Sequence, residues 1–491
     1  MPQPSAAEIE MAAAYLRPPG RPTASIAEHD PFFGYDRPET HGVHTETVHV
    51  PMRDGGYLVC DLHHPAGPDG TPAPGPFPGI VYEFNGYAMR QVFGVGADYF
   101  AKYGYVVAVA SVRGTGGTPG PIDPFGRQEQ LDDYDLIEWL AEQDFCTGDV
   151  GQMGLSYAGH LTLLTAVHQP PHLKAIIPQQ AISDWYENTI YRGGVPNERI
   201  HKWQQDTAPD TLVTYPKHPD YDEFWRERSV KQNWDKLTVP VLDVGGWLDP
   251  YRDGMVQNFQ AREGNTWMVA GPWEHGMVSI GPENIGCAAF LAWWDHWLLG
   301  LPAPLPSGKV TSYEMPSHGW HQYDTWPPSQ STRTSWFPSA TGELGTEAGP
   351  GDIAGFDVRA GQLVFETPAL TEDLVIVGEL DLRTRIAFTD NDGHVAVVLD
   401  DLDANGATIR ISNGWLKASH RNGHEHPDPV ASGEFADLTV PLWPMHHRVE
   451  AGHRLRLTLS SNDYPQIERT PYTGTARVDL GVTELGGNAL R

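Results

Sequence analysis

VGQMGLSYAG, residues 150–159, is the stretch that decides the fold. An apolar strand pattern reaches Gly154, the chain must turn sharply through Leu155-Ser156-Tyr157, and YAGHLTLLTAV (157–167) continues with helical character. Small residues on both sides of a serine let the backbone take the strained turn that lifts a hydroxyl to the edge of a sheet. The helix that follows aims the amide of Tyr157 at whatever lies beside that hydroxyl, where it can meet a developing negative charge. The plainer reading is an ordinary strand–turn–helix with an incidental serine, because small residues are common at such turns. The fifth position of the general G-x-S-x-G pattern is Ala158 here, with glycine one residue later at Gly159.

On either side of this turn the rhythm is that of a doubly wound α/β unit. Short apolar runs at 79–84 (GIVYEF) and 105–112 (YVVAVASV) alternate with helical patterns, as buried parallel strands do. QEQLDDYDLIEWLAEQ (128–143) places Leu131, Tyr134, Ile137 and Leu140 on one predicted helical face. Further strands are expected at 150–155, 174–180, 239–246 and 266–271, and a hairpin over 43–65 turns at Asp54-Gly55-Gly56. Between Asp184 and Lys236 the strand rhythm stops in an aromatic, polar, helical-looking segment, positioned to cap the C-terminal edge of the sheet, where α/β proteins bind ligands.

A serine hydroxyl is a weak nucleophile until a base removes its proton and an acid orients that base. The strand VPVLDVGG runs into Trp247-Leu248-Asp249, and the strand TWMVAG runs into Pro272-Trp273-Glu274-His275. Asp249 and His275 therefore follow strand ends, in the order serine, acid, histidine that α/β-hydrolases use. Together they are far more specific than the serine motif alone. Asp249 precedes proline and could equally be a turn former. Glu274 is an alternative acid, His296 beside Asp295 a rival base, and His160 is expected to face away from the Ser156 hydroxyl.

Composition sets the outer limits. The chain has 491 residues, a length that suggests about three domains. It carries 52 Gly and 43 Pro without any repeat period, which means many turns. A formal charge of −30 would repel a phosphate backbone or an anionic lipid surface, so nucleic acid and membrane partners are not expected. No apolar run approaches a spanning helix, and the N-terminus MPQPSAAEIEMAAAYLRPPG lacks the basic and apolar regions of a signal peptide. Cys60, Cys146 and Cys287 are distant and odd in number, so a reducing, cytoplasmic setting without disulfides is expected.

After LPAPLPSG (301–308) the composition changes to short alternating strands, at 375–388, 394–406, 437–444 and 452–461, with no long helical pattern between them. An antiparallel β-sandwich of jelly-roll type is expected there. The organisation read from the chain is an N-terminal arm (1–42), an α/β core (43–183 and 237–302), a helical cap (184–236) and a C-terminal jelly roll (303–491). Three attractive patterns are set aside. The run from Asp401 to Gly406 starts like a calcium loop but has Ser412 where such a loop needs Glu. His420, His424 and His426 read as solvated loop histidines, and RGTGGTPG (113–120) lacks the Gly-Lys-Ser/Thr ending of a phosphate loop.

RGTGGTPG (113–120), EWLAEQDFCTGDVGQMGLSYAG (138–159), GGWLDP (245–250), GPWEHG (271–276), WWDHWLLG (293–300), LDDLDANG (399–406), GHRLRL (452–457) and SSNDYP (460–465) together resemble the cocaine esterase/X-Pro dipeptidyl-peptidase family of α/β-hydrolases. The likeness runs from about residue 44 to the end. The family's nucleophile signature, G-x-S-Y-x-G, is met in full by Gly154 to Gly159. The resemblance implies Ser156 as nucleophile, Asp249 as acid and His275 as base. It also implies a second oxyanion donor, the hydroxyl of Tyr87, beside the Tyr157 amide. It implies an α/β-hydrolase core with an inserted helical cap and a C-terminal jelly roll, acting on a small-molecule ester or amide without metal or organic cofactor. Carboxylic-ester hydrolysis is the first expectation. Removal of X-Pro dipeptides, hydrolysis of α-amino-acyl esters or amides, and acyl transfer are the alternatives. A free ammonium would need an acidic subsite, with Glu83, Asp184 and Glu187 as candidates. The cap, at about fifty residues, is shorter than is usual in the family. Self-association into a homo-oligomer is compatible with this reading, and a non-catalytic binding protein is disfavoured by the three residues standing in order.

Overall fold

The computed structural model describes residues 22–87, 89–278 and 281–490, so half of the expected N-terminal arm (1–21) lies outside the described residues. The described part of the arm is tied down. Tyr35 and Arg37 both reach the buried carboxylate of Asp295, the Arg37 Nε at 2.6 Å and the Tyr35 hydroxyl at 2.8 Å.

A ten-stranded sheet forms the first layer. Its strands are β1 (Gly42–Pro51), β2 (Tyr57–Ala66), β3 (Phe77–Tyr82), β4 (Val106–Ala110), β5 (Cys146–Leu155), β6 (Leu173–Gln179), β7 (Val241–Gly246), β8 (Thr266–Gly271), β9 (Val310–Tyr313) and β10 (Trp320–Tyr323). The spatial order is β1-β2-β4-β3-β5-β6-β7-β8-β9-β10. From β4 through β9 neighbours run parallel, and the edges are antiparallel. Burial on both faces explains why the central strands read as continuous apolar runs: all five residues of β4 are buried. The β1–β2 hairpin turns where expected, with Gly55 at φ 85°.

Helices α1 (Arg90–Lys102), α2 (Arg127–Ala141) and α3 (Tyr157–Ala166) cross over between strands. The buried face of α2 is not the expected one. Leu131 and Tyr134 are only half-buried, while Glu129, Asp132 and Asp133 are inside with Leu136, Ile137 and Leu140. A periodicity argument counts carboxylates as outward-facing. Here each has a partner that offsets its desolvation: the Tyr157 hydroxyl on Glu129, Arg113 on Asp132, and Thr165 with Gln152 on Asp133.

The segment between β6 and β7 is a set of short helical turns, the longest being α4 (Ile200–Thr207), plus a small hairpin pairing Tyr191–Arg192 with Val195–Pro196. Its core is aromatic, with Tyr186 and Tyr215 packing on the buried indole of Trp225. Beyond β7, α5 (Arg252–Ala261) and α6 (Ala288–Trp297) complete the helical layers.

The large sheet continues past the proline-rich stretch at 301–308, since β9 and β10 add to it. From Thr332 onward two antiparallel sheets of seven and four strands face each other as a β-sandwich. The strand Arg454–Ser460 shows the expected alternation, its Leu residues buried and their neighbours half-buried. Side chains of α5 and β8, among them Met255, Phe259 and Met268, share one apolar cluster with the sandwich strands. His420 is buried rather than solvated. It packs beneath Gly194 of the hairpin, where a Cβ would lie 2.5 Å from its ring.

Candidate active site

Ser156 stands between β5 and α3 at φ 61°, ψ −112°, a region that side chains other than glycine rarely adopt. Close packing imposes the glycines around it. A Cβ on Gly154 would lie 2.4 Å from the Ala158 Cβ, and one on Gly159 would lie 2.6 Å from the Gln179 carbonyl. The turn is clamped by the Ser156 amide donating to the Gln179 carbonyl at 2.8 Å. The carboxyl of Glu83, itself at φ 56°, accepts from the Leu155 amide at 2.9 Å behind the turn. Burial pushes Glu83 up to about 8, with the Leu155 amide acting in the other direction.

The loops after β7 and β8 bring their residues to this turn. His275 Nε2 lies 2.8 Å from Ser156 Oγ, and His275 Nδ1 lies 2.7 Å from Asp249 Oδ2. Asp249 is buried, and its other oxygen accepts from the Tyr251 amide at 2.6 Å. That carboxylate fixes the ring so that Nδ1 carries hydrogen and Nε2 faces the serine. Burial acts to lower the His275 pKa, but the Asp249 charge and hydrogen bond outweigh it and hold the imidazole above its ordinary value.

Gln180, at φ 47° just past β6, holds the histidine loop from both sides. Its Nε2 donates to the Glu274 carbonyl at 2.9 Å and its Oε1 accepts from the Gly276 amide at 2.5 Å. The sequence reading missed this residue. Its only local signal is a polar side chain closing a strand directly beside the serine strand.

The first amide of α3, that of Tyr157, has no acceptor among the described residues, as expected of a helix N-terminus. The Tyr157 ring is buried, and its hydroxyl donates to Glu129 at 2.6 Å. Tyr87 borders the same cavity. Its hydroxyl accepts from Trp203 Nε1 at 3.1 Å, which leaves its own proton free to donate, and its amide is held by Asn85.

The rival residues separate from this cluster. His296 lies in α6 with Nδ1 at the Ala303 carbonyl. Glu274 borders the cavity, but it is the Asp249 carboxylate that His275 Nδ1 meets. His160 borders the cavity too, with its ring nitrogens at the Ile182 and Arg228 carbonyls and burial lowering its pKa to about 4. Of the carboxylates considered for an ammonium subsite, Asp184 is enclosed by the Tyr186 and Glu187 amides and the Tyr221 hydroxyl. Glu187 pairs with Lys231 at 2.8 Å. Neither these two nor Glu83 borders the cavity above Ser156.

That cavity has a volume of about 630 Å³ and draws its walls from three parts of the chain. The core contributes Ser156 and His275, the inserted segment Trp185 and Trp203, and the sandwich Asn413 and Trp443. The sandwich share could not be read from the sequence, because nothing local marks which residues within its strands meet a serine so distant along the chain.

Known proteins resemble this chain in sequence and in fold. The family model for X-Pro dipeptidyl-peptidases (S15 family) matches residues 8–213 and 196–277, and that for the X-Pro dipeptidyl-peptidase C-terminal non-catalytic domain matches residues 306–489. Cocaine esterase of Rhodococcus sp. (strain MB1 Bresler) is 23% identical over 87% of this chain and 92% of its own. The Xaa-Pro dipeptidyl-peptidase of Lactobacillus delbrueckii subsp. lactis is 20% identical over 73% of this chain and 59% of its own. Among solved structures, a CocE/NonD family hydrolase from Staphylococcus aureus superposes with a TM-score of 0.80 at 19% identity, covering 90% of this chain and 93% of that one. An α-amino-acid ester hydrolase superposes with a TM-score of 0.77 at 19% identity, covering 93% and 98%.

Proposed function

Because this chain belongs to the S15 family of X-Pro dipeptidyl-peptidases, a family of serine hydrolases, we propose that it hydrolyses carboxylic esters of small molecules through an acyl-enzyme on Ser156. The observation that carries the proposal is the continuous relay from Ser156 Oγ through His275 to the buried Asp249, at 2.8 and 2.7 Å. His275 Nε2 takes the serine proton as Oγ bonds to the substrate carbonyl carbon. Asp249 stabilises the imidazolium that forms. The oxyanion is received by the Tyr157 amide and the Tyr87 hydroxyl, and loss of one such donor typically costs about 2.7–4 kcal/mol of barrier. The imidazolium proton then passes to the leaving oxygen as the ester C–O bond breaks. Water, deprotonated by the same nitrogen, attacks the acyl carbon and releases the acid and the free serine.

Ester cleavage is favoured over removal of N-terminal dipeptides because none of Glu83, Asp184 and Glu187 lines the cavity, which leaves a substrate ammonium only Glu274 among the described lining carboxylates, against four arginines. It also accords with the activity named for the Rhodococcus relative. The test is initial rates for wild type and Ser156→Ala on p-nitrophenyl esters and on X-Pro and aminoacyl anilides. Turnover of neutral esters that disappears in the variant supports the reading. A preference for substrates with a free amine replaces it with the aminoacyl alternative, and wild-type turnover in the variant removes Ser156 as nucleophile.

A further inference from the structure

The protein as a whole is strongly acidic, with 63 Asp and Glu against 33 Lys and Arg, yet the wall of its catalytic cavity is cationic. Arg192, Arg199, Arg252 and Arg410 border it, and Glu274 is the only Asp or Glu among the described lining residues. Two of these arginines differ from the rest. Arg410 pairs with Asp463 at 3.3 Å, and Arg199 is exposed and bonds the Gln466 amide oxygen, whereas Arg192 and Arg252 are buried with no carboxylate in ion-pair contact among the described residues.

Arg192 and Arg252 are both nearly fully buried, 4% and 6% exposed. Their guanidinium carbons lie 4.6 and 4.7 Å from the centre of the Trp443 ring, so one indole carries both cations. Each Nε is buried without a partner among the described residues. The remaining contacts are to carbonyls: Arg192 to Pro250 at 3.1 Å, and Arg252 to Trp247 and Ile411. Asp249 and Asp253, the carboxylates that act on them through space, are held elsewhere. Asp249 is bonded by His275 and the Tyr251 amide, and Asp253 by Asn188 at 2.8 Å. Burial lowers the pKa of both arginines, that of Arg252 to about 10, the sign of cations short of compensation.

The three side chains come from three parts of the chain and are rigidly supplied. Arg192 lies on the 191–196 hairpin, which docks on the sandwich through the Lys417 amide donating to the Gly193 carbonyl at 2.8 Å. Gly193 itself leaves no room for a Cβ, which would lie 1.9 Å from the Trp415 carbonyl oxygen. Arg252 opens α5 three residues after Asp249, and Trp443 lies on the strand Ala436–Val449.

Resting on the ester-hydrolase reading above, we propose that Arg192, Trp443 and Arg252 form a receptor for a carboxylate, and that the substrate is an ester bearing a free carboxylate group. Buried guanidiniums without counter-ions are costly in the free protein, and a planar anion meets their donors in the geometry guanidinium favours. Such a substrate gains from interactions already ordered before it arrives.

The test compares kcat/KM within two matched pairs. One places the charge on the acyl side (mono-p-nitrophenyl glutarate against its methyl-capped diester), and the other on the leaving group (4-acetoxybenzoate against its methyl ester). Wild type is expected to prefer the carboxylate by about tenfold or more in one pair, and the pair concerned shows which side binds the receptor. The preference should collapse in Arg192→Met and Arg252→Met, and survive in part in the corresponding Lys variants. Should the Met variants fail to fold, competitive inhibition of the wild type by glutarate and benzoate against their amides reads the same site, with the acids at least tenfold tighter. Binding is also read without turnover by thermal shift of Ser156→Ala with the same acids and amides, so that failure of the nucleophile assignment leaves this result standing. Equal rates within both pairs, acids no tighter than amides, or faster turnover of an amine-bearing ester overturns the proposal.

Discussion

The side-chain amide of Gln180 is bonded at one end to the Glu274 carbonyl and at the other to the Gly276 amide, so a single side chain brackets His275. Gln180 touches no reacting atom and acts by positioning the histidine loop. Gln180→Ala is expected to lower kcat about tenfold or more while KM changes little, because misplacing a catalytic group weakens the transition state more than the ground state. Rescue by Gln180→Glu should be incomplete, since a carboxylate accepts from Gly276 but repels the Glu274 carbonyl. Steady-state rates with melting curves separate this from a general loss of stability.

Asp249→Asn tests the other support of His275. A drop in kcat of about 10⁴-fold is expected, because asparagine holds the wrong imidazole tautomer. The pH profile adds a signed prediction. On the proposed mechanism the neutral imidazole is the base, so wild-type activity should rise with pH through a pKa above the ordinary 6.5. Without the Asp249 charge, burial alone acts on the ring, and the acid limb of the residual activity should move to lower pH. The same pairing contributes to stability below pH 6.5 and is lost as pH rises through the raised value.

Glu129 has the opposite consequence to an ordinary surface carboxylate. Burial raises it to about 8, although the Tyr157 hydroxyl and the Phe125 amide both favour the charged form. The folded chain therefore binds a proton that the unfolded chain releases near 4.5, and stability falls as pH rises between 4.5 and about 8. The slope for one such group is at most about 1.4 kcal/mol per pH unit. Glu129→Gln keeps an acceptor for Tyr157 and removes the titration. Its urea midpoint should gain on wild type between pH 5 and pH 8; an unchanged difference would refute the assignment.

Gly159→Ala probes the turn itself. The added Cβ would stand 2.6 Å from the Gln179 carbonyl and 2.9 Å from that of Gly154, both backbone atoms that cannot rotate away. A loss of about 1–3 kcal/mol is expected from such overpacking, together with loss of activity as Ser156 shifts. Denaturant unfolding and ester turnover measured on the same preparation check both.

Much of this molecule was legible along the chain. The order Ser156, Asp249, His275 could be read because each follows a strand whose apolar run is self-evident, and the turn at Ser156 demands small neighbours. The buried face of α2 was misread because Glu129, Asp132 and Asp133 look like surface residues until Tyr157, Arg113 and Thr165 are seen beside them. Asp184 and Glu187 showed the reverse error. Their charge suggested a substrate contact, and the fold uses them against Tyr221 and Lys231 instead.

What the chain determined by itself is therefore everything that depends on local pattern: the strand–helix alternation, the sharp serine turn, and the succession of serine, aspartate and histidine at strand ends. What only the tertiary structure decided is which distant residues share one cavity. Arg192, Arg252 and Trp443 meet there from the hairpin, from α5 and from the sandwich, and no spacing in the sequence records that meeting. The physical reason is that secondary structure follows from interactions within a few residues. The charge of a site, in contrast, is set by side chains brought together through burial across the whole chain.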